Sequence, residues 1–402
     1  MKRVVTGNSE MMRKINSELV INQIITSGVI SRSELSKQLG LALPTVMRIV
    51  EGLLQEGFVV EVGFGNSSGG RKPTMLKINE KYCYYIGVCI QRKLKVVLAD
   101  TVGTILSRYE KVFDYQRLGN DDLDQIITGI NSVINTAHIE IADNCYIGIG
   151  TPGSNFKHTT LVEQYPFYKW ANFDVNTWLY SGLLPYPTVC ENIPKLGALA
   201  ELRFGMGLDV KNFIYIYADY GIGMGIVING ELYMGAGNVA GEFGHMIIEQ
   251  NGLPCYCGNR GCIEMYSSSF VILEQLRRMM RKKGLTVNNI SDPDKLQFSD
   301  ALIALEQGDP QTTLVFAEAG SILGKGLASL INLFNPELII LGGELSNCTC
   351  YVQAAKKAAL SSVFMNAARN TRIEISRLGH EDLLKGAVAL AMKWHLDHYF
   401  KQ

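Results

Sequence analysis

Four residues within one short stretch could build a metal centre. In GEFGHMIIEQNGLPCYCGNRGCIEMY, His245, Cys255, Cys257 and Cys262 offer one imidazole and three thiolates, with Gly252, Gly258 and Gly261 supplying tight turns between them. That donor set suits a tetrahedral zinc ion. Four protein ligands leave no open position for a catalytic water, so the expected ion is structural, one per chain. An unmetallated thiol cluster is the alternative. Glu242 and Glu264 flank the knot. Their carboxylates suit two roles, accepting hydrogen bonds from the hydroxyls of a sugar or supporting the metal ligands from outside, and spacing does not separate the two.

A second stretch, CENIPKLGALAE at 190–201, reads like the rim of an active site without its working acid. Glu191 and Asn192 are polar groups at the start of a small-residue helix. The next position, where a carboxylate would be useful, is Ile193.

The elements around these residues alternate apolar strands with glycine-bearing turns. YYIGVCIQRKLKVVLADTVGTILSRYEK reads as strand, turn, strand, turn, strand, and NFIYIYADYGIGMGIVINGELYMG repeats the layout. A duplicated meander with helices after each copy predicts two similar α/β lobes with a ligand cleft between them. GIGTPGSNF and ELIILGGELS are further strand-to-turn junctions, where glycine lets a ligand approach the backbone.

The first eighty residues have another texture. ISRSELSKQLG opens with Ser31 and carries Glu34 three positions on, the pattern of a capping box. LALPTVMRIVEGLLQEG then starts a helix with Pro44 early, and Val46, Ile49, Val50, Leu53 and Leu54 fall on one stripe. Thr45, Met47, Arg48 and Glu51 fall on the other. An earlier helix offers Ile15/Leu19, Val20/Ile24 and Ile21/Ile25 as apolar pairs four apart. Three helices followed by FVVEV, a glycine-rich loop and TMLKIN predict a winged helix-turn-helix. It would place the Pro44–Gln55 helix in a DNA major groove, with Thr45, Met47 and Arg48 facing bases or phosphates and Arg71 and Lys72 on the wing. This segment holds ten basic against seven acidic residues, whereas the whole chain balances 38 against 38. The asymmetry suits a DNA-binding end on a neutral protein.

No apolar run reads as a membrane span and the N-terminus has no signal-like core, so a cytoplasmic protein without a membrane partner is expected. Of the nine cysteines, Cys83, Cys89, Cys145 and Cys190 sit in apolar surroundings and read as inert buried thiols. Cys348 and Cys350 are a weaker metal candidate.

Together, GEFGH, the His/Cys3 knot and GGRKP before the first lobe strand resemble the ROK family of repressors and sugar kinases, across almost the whole chain. The resemblance implies an actin-like (ribonuclease H-like), two-lobed sugar-kinase fold with a winged helix in front. The expected domains are 1–80, the winged helix; 81–192, a first lobe completed by a C-terminal helix over 380–402; and 193–379, a second lobe with the zinc knot. Family kinases carry Glu-Asn-Asp where this chain has Glu191, Asn192 and Ile193, so the residue that would take a proton from the sugar hydroxyl is absent. Their first phosphate loop has an Asp, paired glycines and a Thr, where this chain has Cys89, Gln91, Arg92 and Lys93. The second glycine-rich turn, Asp219 to Gly225, survives. Gly153, Asn192, Glu242, His245 and Glu264 match family positions that contact sugar, and the resemblance favours the sugar reading of both glutamates. It implies a repressor without enzymatic activity whose effector is a sugar or sugar phosphate. Its DNA partner would be a palindromic operator, bound by a homodimer or dimer of dimers. A DNA-binding sugar kinase and a regulator controlled by a sugar-transport protein are the competing readings.

Overall fold

A computed structural model describes residues 9–65, 72–91, 93–112, 120–141, 144–156, 159–161, 184, 186–364 and 370–399. The chain begins with α1 (Ser9–Ser27), β1 (Ile30–Ser31), α2 (Arg32–Leu39), α3 (Leu43–Gln55), β2 (Val59–Phe64) and β3 (Thr74–Ile78). The capping box forms at α2. The Glu34 N–H donates to Ser31 Oγ at 3.3 Å, and the Ser31 N–H donates to Glu34 Oε2 at 2.9 Å. Val46, Ile49, Val50 and Leu53 of α3 are buried with Val20, Ile21, Ile24, Leu35 and Phe58 in one core. Ile15 and Leu19 do not join it: they are 40% and 42% exposed, so this apolar pair faces outward. Strand β1, which pairs antiparallel with β3, escapes a sequence reading because two residues carry no alternation.

The first lobe holds β4 (Tyr84–Ile90), β5 (Lys93–Ala99), β6 (Ile105–Val112), α4 (Asn120–Ala137), β7 (Cys145–Thr151), a small pair β8 (Ser154–Phe156) and β9 (Thr159–Leu161), and β10 (Thr188–Asn192). Helix α5 (Ile193–Phe204) follows directly. The second lobe holds β11 (Phe213–Ala218), β12 (Ile222–Ile228), β13 (Glu231–Leu232), α6 (Glu264–Ser267), α7 (Ser269–Lys283), α8 (Phe298–Glu306), α9 (Pro310–Phe334), β14 (Leu338–Gly342), α10 (Thr349–Ser362) and β15 (Arg372–Ile375). Helix α11 (Asp382–Tyr399) closes the described chain.

The repeat in the sequence is a repeat in topology. One five-stranded sheet runs β10-β7-β4-β5-β6 and the other β13-β12-β11-β14-β15. In each, an antiparallel meander adds two parallel strands beside its first strand, β7 and β10 in one and β14 and β15 in the other. Helices α5 and α11 lie between the sheets. A single core cluster joins Tyr85, Cys89 and Val97 of the first sheet, Ile193 and Leu196 of α5, Tyr215 and Ile340 of the second sheet, and Ala387 and Val388 of α11.

Two expectations need correction. The 25-residue α9 is long and apolar enough to cross a membrane by composition. The fold instead packs its Phe316, Leu323, Leu327 and Ile331 into the second-lobe core, so the composition reflects burial between protein layers. Among the expected inert thiols, Cys190 is only half-buried, while Cys83, Cys89 and Cys145 are buried. Burial pushes the Cys83 thiol up to about 11 and the Cys145 thiol up to about 12.

Helix α11 approaches the first sheet through glycine. A Cβ built on Gly148 would fall inside the van der Waals shell of the Ala387 carbonyl oxygen, whereas one on Gly52 of α3 would meet nothing within 4 Å. Gly148→Ala should therefore destabilise the protein by about 1–3 kcal/mol through overpacking, and Gly52→Ala should stabilise it by up to about 1 kcal/mol through helix propensity. Thermal melts of the two variants check the opposite signs.

Candidate sugar cleft, metal knot and DNA-facing helix

The knot forms because short backbone bonds fold the chain back on itself. The Cys255 N–H donates to Asn259 O at 2.8 Å, the Gly261 N–H to Leu253 O at 2.8 Å and the Ile248 N–H to Gly261 O at 2.9 Å. Gly261 has φ 79°, and any Cβ there would collide with Glu249 O, so only glycine fits. The result brings one donor atom each from His245, Cys255, Cys257 and Cys262 within 4.8 Å of one another. Cys257 Sγ lies 3.6 Å from Cys262 Sγ, and Cys255 Sγ lies 3.6 Å from His245 Nδ1. Ligands about 2.0–2.3 Å from a tetrahedral zinc ion would stand about 3.5–3.8 Å apart, so the donor set fits that metal. Burial and the neighbouring thiols push the Cys262 thiol up, a cost that a bound dication would reverse. Cys348 and Cys350 belong to no such group among the described residues.

With Nδ1 turned to the thiols, the other nitrogen of His245 faces a tyrosine. Tyr256 Oη lies 3.5 Å from His245 Nε2, with the rings edge-on at 5.2 Å, and donates to Glu264 Oε1. Glu264 is buried, and its Oε2 accepts the Ile222 N–H at 2.7 Å. Burial raises its pKa, against those two hydrogen bonds. The chain His245–Tyr256–Glu264–Ile222 thus ties the knot to the first residue of β12. Tyr256 was not legible as a functional residue, because a lone tyrosine between two cysteines has no spacing signal.

Between the lobes lies a cleft of about 400 Å³. Gly153, Asn192 and Glu242 line it, while His245 and Glu264 stand outside its lining. Asn192 is the N-cap of α5. Its Oδ1 accepts the Lys195 N–H at 3.2 Å, and its Nδ2 has no hydrogen-bond partner among the described residues. Ile193, the first residue of α5, also lines the cleft and is 3% exposed. At the α11 end, Asp382 accepts hydrogen bonds from Tyr215 Oη and the Leu383 N–H, and burial, with Glu201 and Asp219 nearby, pushes its carboxyl up to about 6.

Two further ties, which spacing in the sequence does not announce, lie at or near the cleft. Lys195 is almost wholly buried. Its ammonium lies 3.4 Å from Glu191 Oε1 and donates to Asn238 O at 2.5 Å, fastening the loop before Glu242 to the start of α5. On the other side Gln91 Nε2 donates to Tyr217 Oη at 2.6 Å, and Tyr217 Oη donates to Asp219 Oδ2 at 2.9 Å. Where the resemblance leads one to expect a phosphate loop, a hydrogen-bonded chain joins the lobes. Lys93 also lines the cleft. Cys89, expected at the same loop, instead points into the core beside Ile193 and Leu196, and Arg92 lies outside the described residues.

On the winged helix, Met47 is 51% exposed, Arg48 is exposed and Thr45 half-buried on the outer face of α3. Arg48 has no salt bridge among the described residues. Lys72 is exposed before β3, and Arg71 lies outside the described residues. Glu51 is exposed on the same face, so the exposed outer face of α3 carries one base and one acid beside Met47.

Comparison with known proteins agrees with this arrangement. The xylose repressor of Caldicellulosiruptor bescii is 30% identical over 96% of this chain and 97% of its own length. The DNA-binding transcriptional dual regulator NagC of Escherichia coli K12 is 27% identical over 96% and 94%. Among solved structures, a ROK family transcriptional regulator described as a homologue of E. coli MLC protein superposes with TM-score 0.79 at 26% identity, covering 97% of this chain and 98% of that one. A ROK family glucokinase from Streptomyces griseus, in complex with glucose and AMPPNP, superposes with TM-score 0.65 at 26% identity over 77% of this chain and 99% of its own. The ROK family profile matches residues 85–394, and the chain belongs to the ROK family.

Proposed function

We propose that this protein is a sugar-responsive transcriptional repressor of carbohydrate genes, in which a former kinase cleft serves as the sensor. One observation carries the reading. A winged helix that exposes Met47 and Arg48 is built onto a cleft lined by hydrogen-bonding groups suited to sugar, Asn192 and Glu242, with Ile193 beside them. An isoleucine accepts no proton, and loss of a general base costs about 10²–10⁴-fold in rate. The Streptomyces griseus glucokinase covers 77% of this chain with nearly all of its own length, whereas the repressor-like relatives cover 96% of it.

Asn192 Nδ2, the Glu242 carboxylate and the backbone at Gly153 make direct contacts to sugar hydroxyls. His245 and Glu264 act from behind Glu242, through Tyr256. One structural zinc ion held by His245, Cys255, Cys257 and Cys262 fixes that imidazole. Thr45, Met47, Arg48, Arg71 and Lys72 face operator DNA, read by a dimer or dimer of dimers on a palindrome. Relatives named for xylose and N-acetylglucosamine make a pentose or an N-acetylhexosamine, free or phosphorylated, the first effectors to test.

Thermal shift with D-xylose, N-acetyl-D-glucosamine and their phosphates tests the sensor. A ligand at 100 times its Kd should add about 2.7 kcal/mol to stability, and Glu242→Ala should abolish the shift. No shift with any sugar in a broad panel would remove the sensor reading. Elemental analysis should find one zinc per chain, and Cys262→Ala should lose both the metal and the sugar-dependent shift. Zinc-free native protein would contradict the metal assignment. Incubation with ATP, magnesium and the same sugars should give no phosphoryl transfer in the wild type or in Ile193→Asp, because the Gln91–Tyr217–Asp219 chain still occupies the phosphate side. Turnover by the wild type would restore the kinase reading.

A further inference from the structure

Two helices begin at the cleft and end at the winged helix. The N-cap of α5 is Asn192, and Ile193 and Pro194 line the cleft; in its last turn, Arg203 Nη1 donates to Asn22 Oδ1 of α1 at 2.7 Å. The first residues of α11, Asp382 and Leu383, also line the cleft. About 21–26 Å along the helix, Leu396 and Tyr399 pack on the winged-helix core, the rings of Tyr399 and Phe58 stand 5.8 Å apart, and Lys14 Nζ donates to Asp397 O at 3.4 Å.

The two helices are packed directly against each other. Gly386 of α11 lies directly on the Leu196 carbonyl of α5, leaving no room for a Cβ, and further along Met392 and Phe204 meet around Gly103, so the helices run side by side in the same direction. At its distal end α11 is also held to the first sheet: His395 stacks on Tyr146 at 4.2 Å, and its Nδ1 lies 2.9 Å from Tyr85 Oη. Packed interfaces of this kind shift as units and do not deform gradually.

We propose that α5 and α11 form a paired rod that carries the state of the cleft to the winged helix, delivering it at two points, Arg203–Asn22 on α1 and Tyr399–Phe58 at the base of the wing. A ligand that draws Glu242 toward Asn192 acts on the cap of α5 and on the first turn of α11 together. Both distal ends then move against α1 and β2, and the winged helix turns relative to its partner copy. This rests on the sugar-sensing reading only for the identity of the ligand.

Hydrogen exchange on the full-length protein tests the rod without any ligand. Asn22→Ala removes the exposed acceptor of Arg203, and Tyr399→Ala removes the contact with Phe58. Either should speed exchange at the far ends of the helices, in segments 194–200 and 384–390, by at least about tenfold, while segment 338–342 of β14, in the second sheet, keeps its wild-type rate. Acceleration confined to 9–80 and the last turn of α11 would overturn the proposal. If Tyr399→Ala does not fold, Asn22→Ala at its exposed position decides. In a second arm, D-xylose and N-acetyl-D-glucosamine are added to the wild type. Protection at 382–387 with a matching change in α1 is expected. Protection at the cleft alone contradicts the rod. Protection nowhere contradicts the sugar reading and leaves the first arm to decide the rod.

Discussion

The structure depends on the close approach of α11 to the first sheet and to α5. Gly87, Gly148 and Gly386 remove the side chains that would otherwise separate these backbones, so Leu384 O, Ala387 O and Leu196 O lie directly against the neighbouring elements. Helices at ordinary spacing, about 8–10 Å, would leave the two sheets farther apart and the cleft between them wider. The same contact builds a single core across both lobes, through Tyr85, Ile193, Tyr215 and Val388. The lobes therefore share a wall, and movement at the cleft cannot stay local to one of them.

On that frame the cleft is lined by the polar groups of Asn192 and Glu242, with the apolar Ile193 beside them. Asn192 is oriented by capping α5, and Glu242 sits on a loop fastened by the Lys195 ammonium. Lys195 and Glu191 form a pair that is nearly dry. Burying two charges is costly, and breaking such a pair costs about 3–5 kcal/mol because one charge is left uncompensated. Removal of either partner should therefore be felt strongly, whatever the pair itself contributes. Transfer from ATP needs placed magnesium and phosphates. Asp219, the surviving acid of the second glycine turn, is already engaged by Tyr217 Oη and the Tyr220 N–H.

Much of this was legible in the sequence because it rests on short-range chemistry. The capping box at Ser31 and Glu34, the stripe on α3, the duplicated meanders and the four donors of the knot each leave a local pattern of residue type and spacing. The features that were not legible are long-range. Lys195 reads as one more polar residue on a helix; only the fold brings Asn238, 43 positions away, to its ammonium. Gln91 meets Tyr217 across 126 positions, and Arg203 meets Asn22 across 181. Glu264 was legible as a carboxylate near the metal, but its burial behind Tyr256 is a product of packing. The apolar length of α9 and the outward pair Ile15/Leu19 mislead for the same reason: periodicity and composition report that a surface is apolar, and tertiary structure decides what covers it.

In the proposed sensor, sugar in the cleft and DNA on α3 are thermodynamically linked. Linkage is reciprocal, so each ligand must change the affinity of the other by the same factor. The direct measurement is titration of the full-length protein with a DNA site selected by the protein itself from random sequence, by fluorescence anisotropy, with and without saturating sugar, followed by sugar titration with and without that DNA. The account predicts that sugar weakens DNA binding by a factor in the range of about 5–150, and that DNA weakens sugar binding by the same factor. Tight binding of both ligands with a factor of one would contradict it.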